Sequence, residues 1–184
     1  MISNTLRYLP IILSLHFCAG VITSAQEIKE EVEKIIGNTF GEEVSYMIQK
    51  YSLSPEIKKK IEIEVKQRFF DEYIYIYTVS LDDTTIAYGF LDNVYGKTMP
   101  ITFLVLLTTE GNIISSDIIK YREPYGGEVS NESWNDQFTG KNSKSDFTVG
   151  KTISSISGAT ISVNSVTKGI RKLILLYQSI KDEL

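Results

Sequence analysis

The chain has 184 residues, of which 42% are hydrophobic and 23% charged, enough for one ordinary globular domain and too little for two. Its formal net charge of −4 leaves no broad cationic face to neutralise phosphates, which argues against nucleic acid as a partner. The basic run Lys58-Lys59-Lys60 is flanked by acids and reads as a solvated helix face.

The first residues read as an export signal. Arg7 supplies a positive start, Tyr8 to Ile22 form a short apolar stretch, and Thr23-Ser24-Ala25 offers the small residues a signal peptidase needs, so cleavage is expected after Ala25. The apolar run falls short of the ~20 residues of a full span, with an uncleaved N-terminal membrane anchor as the alternative. A lipid anchor on Cys18 is rejected, because Phe17 before it is too bulky for that cleavage site. Loss of residues 1–25 takes the net charge from −4 to −5 and removes the only cysteine, Cys18, and the only histidine, His16. A mature chain without either has no thiolate nucleophile, no disulfide and no Ser-His-Asp triad. It has no usual ligands for haem or an iron–sulfur cluster, and no His/Cys zinc site. No Asp-rich loop has calcium-binding spacing either. Redox or group-transfer chemistry must come from an organic cofactor or a partner.

In chain order, Gln26 to Gly37 reads as a charged helix with Val32, Ile35 and Ile36 on one side, and Glu42 to Tyr51 as a second. Ser54-Pro55-Glu56 starts a further helix, with a hydroxyl cap, proline in the first turn and an acid at the positive end, running to about Phe70. Residues 26–70 thus form an N-terminal helical segment, and 71–184 the main domain. Tyr73 to Val79 alternates tyrosines with aliphatics as a strand, and Asp82-Asp83 turns the chain into a strand from about Thr85 to Tyr95. Ile101 to Thr109 is nearly all apolar and is expected to be central. Glu110-Gly111-Asn112 then leads to a strand over Ile113 to Tyr121. Residues 123–151 are polar, with one short helix expected at Trp134 to Phe138, and a polar stretch of that length marks a binding region or disorder. Val163, Val166, Ile170, Leu173, Ile174, Tyr177 and Ile180 recur at helical spacing as one apolar stripe. The expected fold is a single α+β domain: an antiparallel sheet of about four strands, with packed helices and a C-terminal amphipathic helix.

Immediately before that helix stands Ser157-Gly158-Ala159-Thr160. A small-residue turn entering a helix exposes unpaired N–H groups at the positive end of the dipole, which suits a phosphate. Gly158 and Ala159 permit close approach and the Thr160 hydroxyl lies where the phosphate would be; an ordinary Ser/Thr helix cap is the plainer reading. Upstream, Tyr125 and Trp134 offer flat faces for stacking, and Gly126-Gly127 lets the backbone come near a ring. For Trp134 a core position is an equal reading. Tyr73, Tyr75 and Tyr77 read as sheet packing, and Arg122 as a surface ion pair.

Ser157-Gly158-Ala159-Thr160, with Glu123-Pro124-Tyr125-Gly126-Gly127, Trp134 and Gln137 to Lys141 ahead of it, resembles the FMN-binding domain family, over about Tyr88 to Tyr177. That family includes one component each of the sodium-pumping NADH:quinone oxidoreductase and of the ferredoxin-linked Rnf complex. The resemblance implies FMN held as a phosphoester on Thr160, installed from FAD by a magnesium-dependent flavin transferase. It also implies a membrane redox donor, an unknown acceptor, a periplasmic or cell-surface location, and Glu123 facing the flavin edge. Two departures stand out: Ser154 occupies the place of an aspartate six residues before the threonine, and Tyr121 to Gly127 replaces a His-x-Glu-Thr-Pro-Gly run.

Other motifs carry less. Gly96-Lys97-Thr98 and Gly150-Lys151-Thr152 lack the upstream glycines of a phosphate-binding loop, so nucleotide hydrolysis is not expected. The terminal Lys181-Asp182-Glu183-Leu184 has the form of a luminal retention signal, and Asn131-Glu132-Ser133 that of a glycosylation site. The four terminal residues equally suit a charged helix end, and the family resemblance favours bacterial export. The leading expectation is an electron-relaying flavoprotein rather than a stand-alone enzyme. The alternatives are a flavin-free binding or assembly module and the flavin component of a small-substrate reductase.

Overall fold

The computed structural model describes residues 23–184; the expected export signal up to Ile22 lies outside them. Helix α1 (Ser24–Phe40) is longer at both ends than its periodicity predicts; Thr23 caps its start, its Oγ1 accepting the Gln26 N–H at 3.3 Å, and Gly41 at φ 90° ends it. Strand β1 (Ser45–Ser52) follows, then helix α2 (Pro55–Val65) and strands β2 (Tyr73–Leu81), β3 (Thr84–Tyr95), β4 (Pro100–Thr108) and β5 (Ile113–Lys120). A short helix α3 (Glu132–Asn135) runs into a 3-10 turn at Asp136–Phe138, and α4 (Thr160–Ile180) is the long C-terminal helix.

The sheet is an antiparallel meander in the order β1-β2-β3-β4-β5, so it has five strands rather than four. The fifth is β1, where a helix was expected over Glu42 to Tyr51. The segment pairs residue for residue with β2, from Ser45 opposite Ser80 to Ser52 opposite Tyr73. Residues 26–70 are therefore not a helical segment, since they add a strand to the main sheet. Helix α2 starts at the Ser54 cap as expected but stops at Val65, five residues early. Lys66 turns left-handed there, at φ 54°, and the chain beyond it carries Phe69 into the core while the Phe69 N–H donates to Glu62 Oε1 at 2.8 Å. The Asp82-Asp83 turn has both residues at positive φ, 48° and 59°, the twist that joins two antiparallel strands by two residues.

Each face of the sheet packs against helices. On one, Val32 and Ile36 of α1 meet Tyr77, Val79, Ala87, Leu104 and Leu106. On the other, Val163, Val166, Ile170 and Leu173 of α4, with Ile61 and Val65 of α2, cover Ile76, Phe90, Phe103 and Val105. Each such aliphatic side chain contributes on the order of 1.5–3 kcal/mol by leaving water. Strand β4 is buried on both faces, which explains its unbroken apolar run, although it lies next to the edge and β3 is the central strand.

The polar stretch after β5 is ordered by hydrogen bonds. Ile113 N–H donates to Lys141 O and Gly140 N–H to Ile113 O, both at 2.8 Å, which ties the stretch to β5. Asp146 accepts from the Thr148 N–H at 2.9 Å, and Phe147 stacks on Phe138 with centroids 6.3 Å apart. The terminal residues form a short 3-10 turn in which Glu183 Oε2 accepts the Tyr51 hydroxyl at 2.6 Å, so this end packs onto β1. Burial and that carboxylate push the Tyr51 phenol up to about 12.

Candidate functional site

Thr160 is the first residue of α4, and the cap before it is Ala159, which has no side chain to offer the helix. Alanine is among the poorest caps, and Ser, Thr, Asn or Asp would each add about 1 kcal/mol. The first-turn N–H groups of Thr160, Ile161 and Ser162 are therefore left without partners among the described residues; the first helical bond is Val163 N–H to Ala159 O at 2.9 Å. The Thr160 side chain is exposed and its hydroxyl makes no hydrogen bond among the described residues, while its carbonyl accepts from Asn164 Nδ2 at 2.8 Å. The plain helix-cap role is excluded for this threonine.

A cavity of about 570 Å³ opens at this helix start. Gly158, Ala159, Thr160, Ile161 and Ser162 form one wall, Glu123, Pro124 and Tyr125 a second, and Lys97 and Thr98 a third. Five of the sequence-predicted site residues thus meet: Thr160, Gly158, Ala159, Glu123 and Tyr125. Tyr125 is 84% exposed, leaving its ring face open at the rim.

Glu123 is committed to the protein itself. Its carboxylate accepts the Thr98 and Met99 N–H groups at 2.5 and 2.9 Å and the Thr98 hydroxyl at 2.8 Å. These bonds, from Met99 and Thr98 first, hold its carboxyl below the usual glutamate value. Glu123 thereby fixes the turn that presents Lys97 to the cavity. With its carboxylate held by that clamp, Glu123 still lines the cavity.

Gly126 and Ser157 do not line the cavity. Gly126 stands behind it at φ 81°, where a Cβ would lie 3.0 Å from both the Ala159 Cβ and the Tyr121 hydroxyl oxygen. Only glycine lets this loop reach the start of α4. The Tyr121 hydroxyl donates to Tyr125 O at 2.6 Å and lies 2.9 Å from Ser162 Oγ, joining the loop to the helix. Ser157 is exposed in the turn before Gly158.

Trp134 lies apart from the cavity. It is buried, edge-on to Phe138 at 5.2 Å, and its Nε1 donates to Ser154 O at 2.9 Å. Gln137 Oε1 accepts the Ser154 N–H at 2.7 Å. The two residues hold both sides of the Ser154 peptide and so set the course of the segment entering Ser157-Gly158-Ala159-Thr160. Arg122 forms no ion pair among the described residues; it donates to Pro100 O and Thr102 Oγ1, each at 3.0 Å, at the start of β4.

Sequence reasoning missed Lys97, Thr98 and Ser162 as wall residues, and Tyr121 and Gly96 as their supports. The Gly96-Lys97-Thr98 string was visible but was weighed only as the end of a nucleotide-hydrolysing loop. An uncapped helix start, a cation on the facing wall, an exposed hydroxyl and an open aromatic face suit a phosphorylated planar cofactor. Among the described residues no cluster of His, Cys, Asp and Glu is arranged to hold a metal ion.

Residues 96–175 match the FMN-binding domain family, a span from Gly96 through most of α4. The chain is 29% identical over 132 residues to the G component of the Na(+)-translocating ferredoxin:NAD(+) oxidoreductase complex of Acetobacterium woodii. That match covers 66% of this chain and 64% of the relative, slightly less than two thirds of the relative's own length. In fold the chain is similar to the crystal structure of Shewanella oneidensis NqrC, with a TM-score of 0.56 at 13% identity, covering 86% of this chain and 98% of the other. Over residues 96–175 the chain thus matches the FMN-binding domain family, and the match indicates FMN as the cofactor.

Proposed function

We propose that the chain is an exported electron-relaying flavoprotein that carries FMN as a phosphoester on Thr160. The observation that carries this reading is the exposed, unbonded Thr160 hydroxyl at the uncapped start of α4, on the wall of the 570 Å³ cavity. Attachment from FAD forms a bond between Thr160 Oγ and the phosphorus on the flavin side. The phosphoanhydride bond breaks, AMP leaves, and the hydroxyl gives up its proton; a flavin transferase with magnesium supplies the catalysis. The residues of this chain do the holding. The first-turn N–H groups and Lys97 would hold the phosphate, with Glu123 keeping Lys97 in place and Gly126 with Tyr121 keeping Tyr125 at the rim. FMN in such a site supplies one- or two-electron transfer. Redox partners on either side of the flavin are consistent with the relative's place in an oxidoreductase complex.

Mass spectrometry of the chain matured with a flavin transferase and FAD tests the attachment. The wild type is expected to gain one FMN less one water and Thr160→Ala to gain nothing; an unchanged wild-type mass overturns the covalent reading. Ser154 is exposed, and Ser154→Asp is expected to speed the transfer if the transferase reads that position.

For the N-terminus, one observation favours the uncleaved anchor over cleavage after Ala25. Cleavage would remove Thr23, the cap of α1, and Ser24, whose Oγ accepts Lys120 Nζ at 3.0 Å. No helix among the described residues is long and apolar enough to cross a membrane. N-terminal sequencing of protein from membrane and soluble fractions decides between the two.

A further inference from the structure

Thr160, Asn164 and Lys168 recur every fourth residue and share one stripe of α4. At 1.5 Å per residue, Thr160 and Lys168 are about 12 Å apart along the helix. Asn164 and Lys168 open onto a second cavity, of about 520 Å³, whose other walls include Lys66, Gln67, Arg68, Phe70 and Tyr95. Tyr95 immediately precedes Gly96 and Lys97, so β3 passes from this cavity directly to the flavin site.

Three cations converge here, and none of Lys66, Arg68 and Lys168 has an ion-pair partner among the described residues. These are three unpaired cations in a chain with 23 acids and 19 bases, with Glu62 as the acid beside Lys66 and Arg68. Lys66 takes the left-handed conformation, φ 54°, at a helix end where glycine would be unstrained. Phe70 and Tyr95 stand side by side, centroids 5.0 Å apart, with Tyr95 65% exposed. Gln67 donates through Nε2 to Ser165 O at 2.9 Å, yet its Oε1 is shielded from solvent and accepts no hydrogen bond.

We propose that this cavity binds a planar aromatic anion of the quinone class, the small-molecule oxidant for the flavin held at Thr160. The acidic groups of the ligand face Lys66, Arg68 and Lys168, and its ring lies against Phe70 and Tyr95. The exchange balances: the quinone gains two electrons and two protons to become the hydroquinone, and the reduced FMN returns them and is oxidised. The oxidant role rests on the FMN reading above; the binding of the anion does not.

Anthraquinone-2,6-disulfonate is the probe, with naphthalene-2,6-disulfonate as a planar dianion without quinone chemistry and sulfate as a plain anion. Titration of flavin-free Thr160→Ala protein, followed by amide chemical shifts of Tyr95 and Lys168, is expected to show both aromatic dianions binding at least tenfold more tightly than sulfate. Arg68→Glu/Lys168→Glu should lose at least tenfold in affinity, and Tyr95→Ala several-fold. Lys59→Glu, the same kind of charge change on α2 outside the cavity, should lose less than twofold. In the FMN-loaded chain, with the flavin first photoreduced and its reoxidation followed, the double variant should raise KM for the anthraquinone at least tenfold while changing the limiting rate less than twofold. Sulfate binding as tightly as the aromatic dianions, or equal losses in Lys59→Glu, overturns the site. Tight binding with no effect of the double variant on KM overturns the oxidant role alone, and a wild type that never gains FMN overturns the covalent reading and leaves the binding result standing.

Discussion

The carboxylate of Glu123 lies so close to Gly96 that a Cβ on Gly96 would stand 2.5 Å from Glu123 Oε1. The two residues are far apart in sequence, and their contact decides where the Lys97-Thr98 wall of the cavity at the start of α4 sits.

Gly96→Ala must push the carboxylate off the Thr98 and Met99 N–H groups. The expected cost is about 1–3 kcal/mol in urea unfolding, together with slower flavin attachment. Because Glu123 has a lowered carboxyl pKa, its stabilising contribution is present above the ordinary glutamate value and is lost as pH falls through the folded one. The Thr98 amide proton resonance, followed downward in pH, should therefore move below the ordinary glutamate titration range, and in Glu123→Gln it should stay flat.

Gly126→Ala should be worse tolerated than its exposure implies. It combines an unfavourable φ of 81° with contacts at 3.0 Å to Ala159 and Tyr121, each alone costing on the order of 1 kcal/mol or more. Tyr121→Phe removes the hydroxyl that joins Tyr125 O to Ser162 and should cost about 1–2 kcal/mol. Hydrogen exchange at residues 125–127 should accelerate in both variants and remain unchanged in the β2–β3 hairpin.

Lys172 and Asp92 form a buried ion pair between α4 and β3, 0% and 6% exposed, with Nζ 2.9 Å from Oδ2. Asp92 Oδ2 has no hydrogen-bond partner among the described residues, while Lys172 Nζ donates to Arg68 O at 3.2 Å. Removing one charge strands the other, so Lys172→Met is expected to cost about 3–5 kcal/mol. The double variant Lys172→Met/Asp92→Leu should recover much of that in urea unfolding, because neither charge then needs solvation.

Asp117 lies in a cavity shared with Glu31, Glu132 and Asp136. Burial raises its carboxyl pKa, and those three acids raise it further, against the lowering bond from Ser115 Oγ at 2.7 Å. The folded state thus holds this proton more tightly than the unfolded chain. Stability should fall as pH rises from the ordinary aspartate value through the raised one. Asp117→Asn is expected to flatten that slope in unfolding measured from pH 3 to pH 7.

Thr160→Ala should change stability by no more than ~0.5 kcal/mol, as for an exposed side chain without partners. Thermal unfolding of the unmodified protein checks this, and a small change means that loss of the flavin in this variant is not loss of fold.

Local chemistry alone determined the Ser54 cap of α2, the Asp82-Asp83 turn, the apolar stripe of α4 and the placing of Thr160 at a helix start, because each depends on residues within a turn or two of chain. Tertiary pairing decided β1. Its strand is mostly exposed and lacks a clear apolar alternation, so only hydrogen bonding to β2 makes it a strand rather than the helix its sequence resembles. Tertiary structure also decided the walls of the site. Lys97 and Thr98 belong to it because Glu123 reaches across 25 residues to hold them, and Trp134 does not, because its indole N–H is spent on Ser154. A cap is a contact between neighbours and can be read from their order; a cavity wall is a contact between strangers, and only the folded chain brings them together.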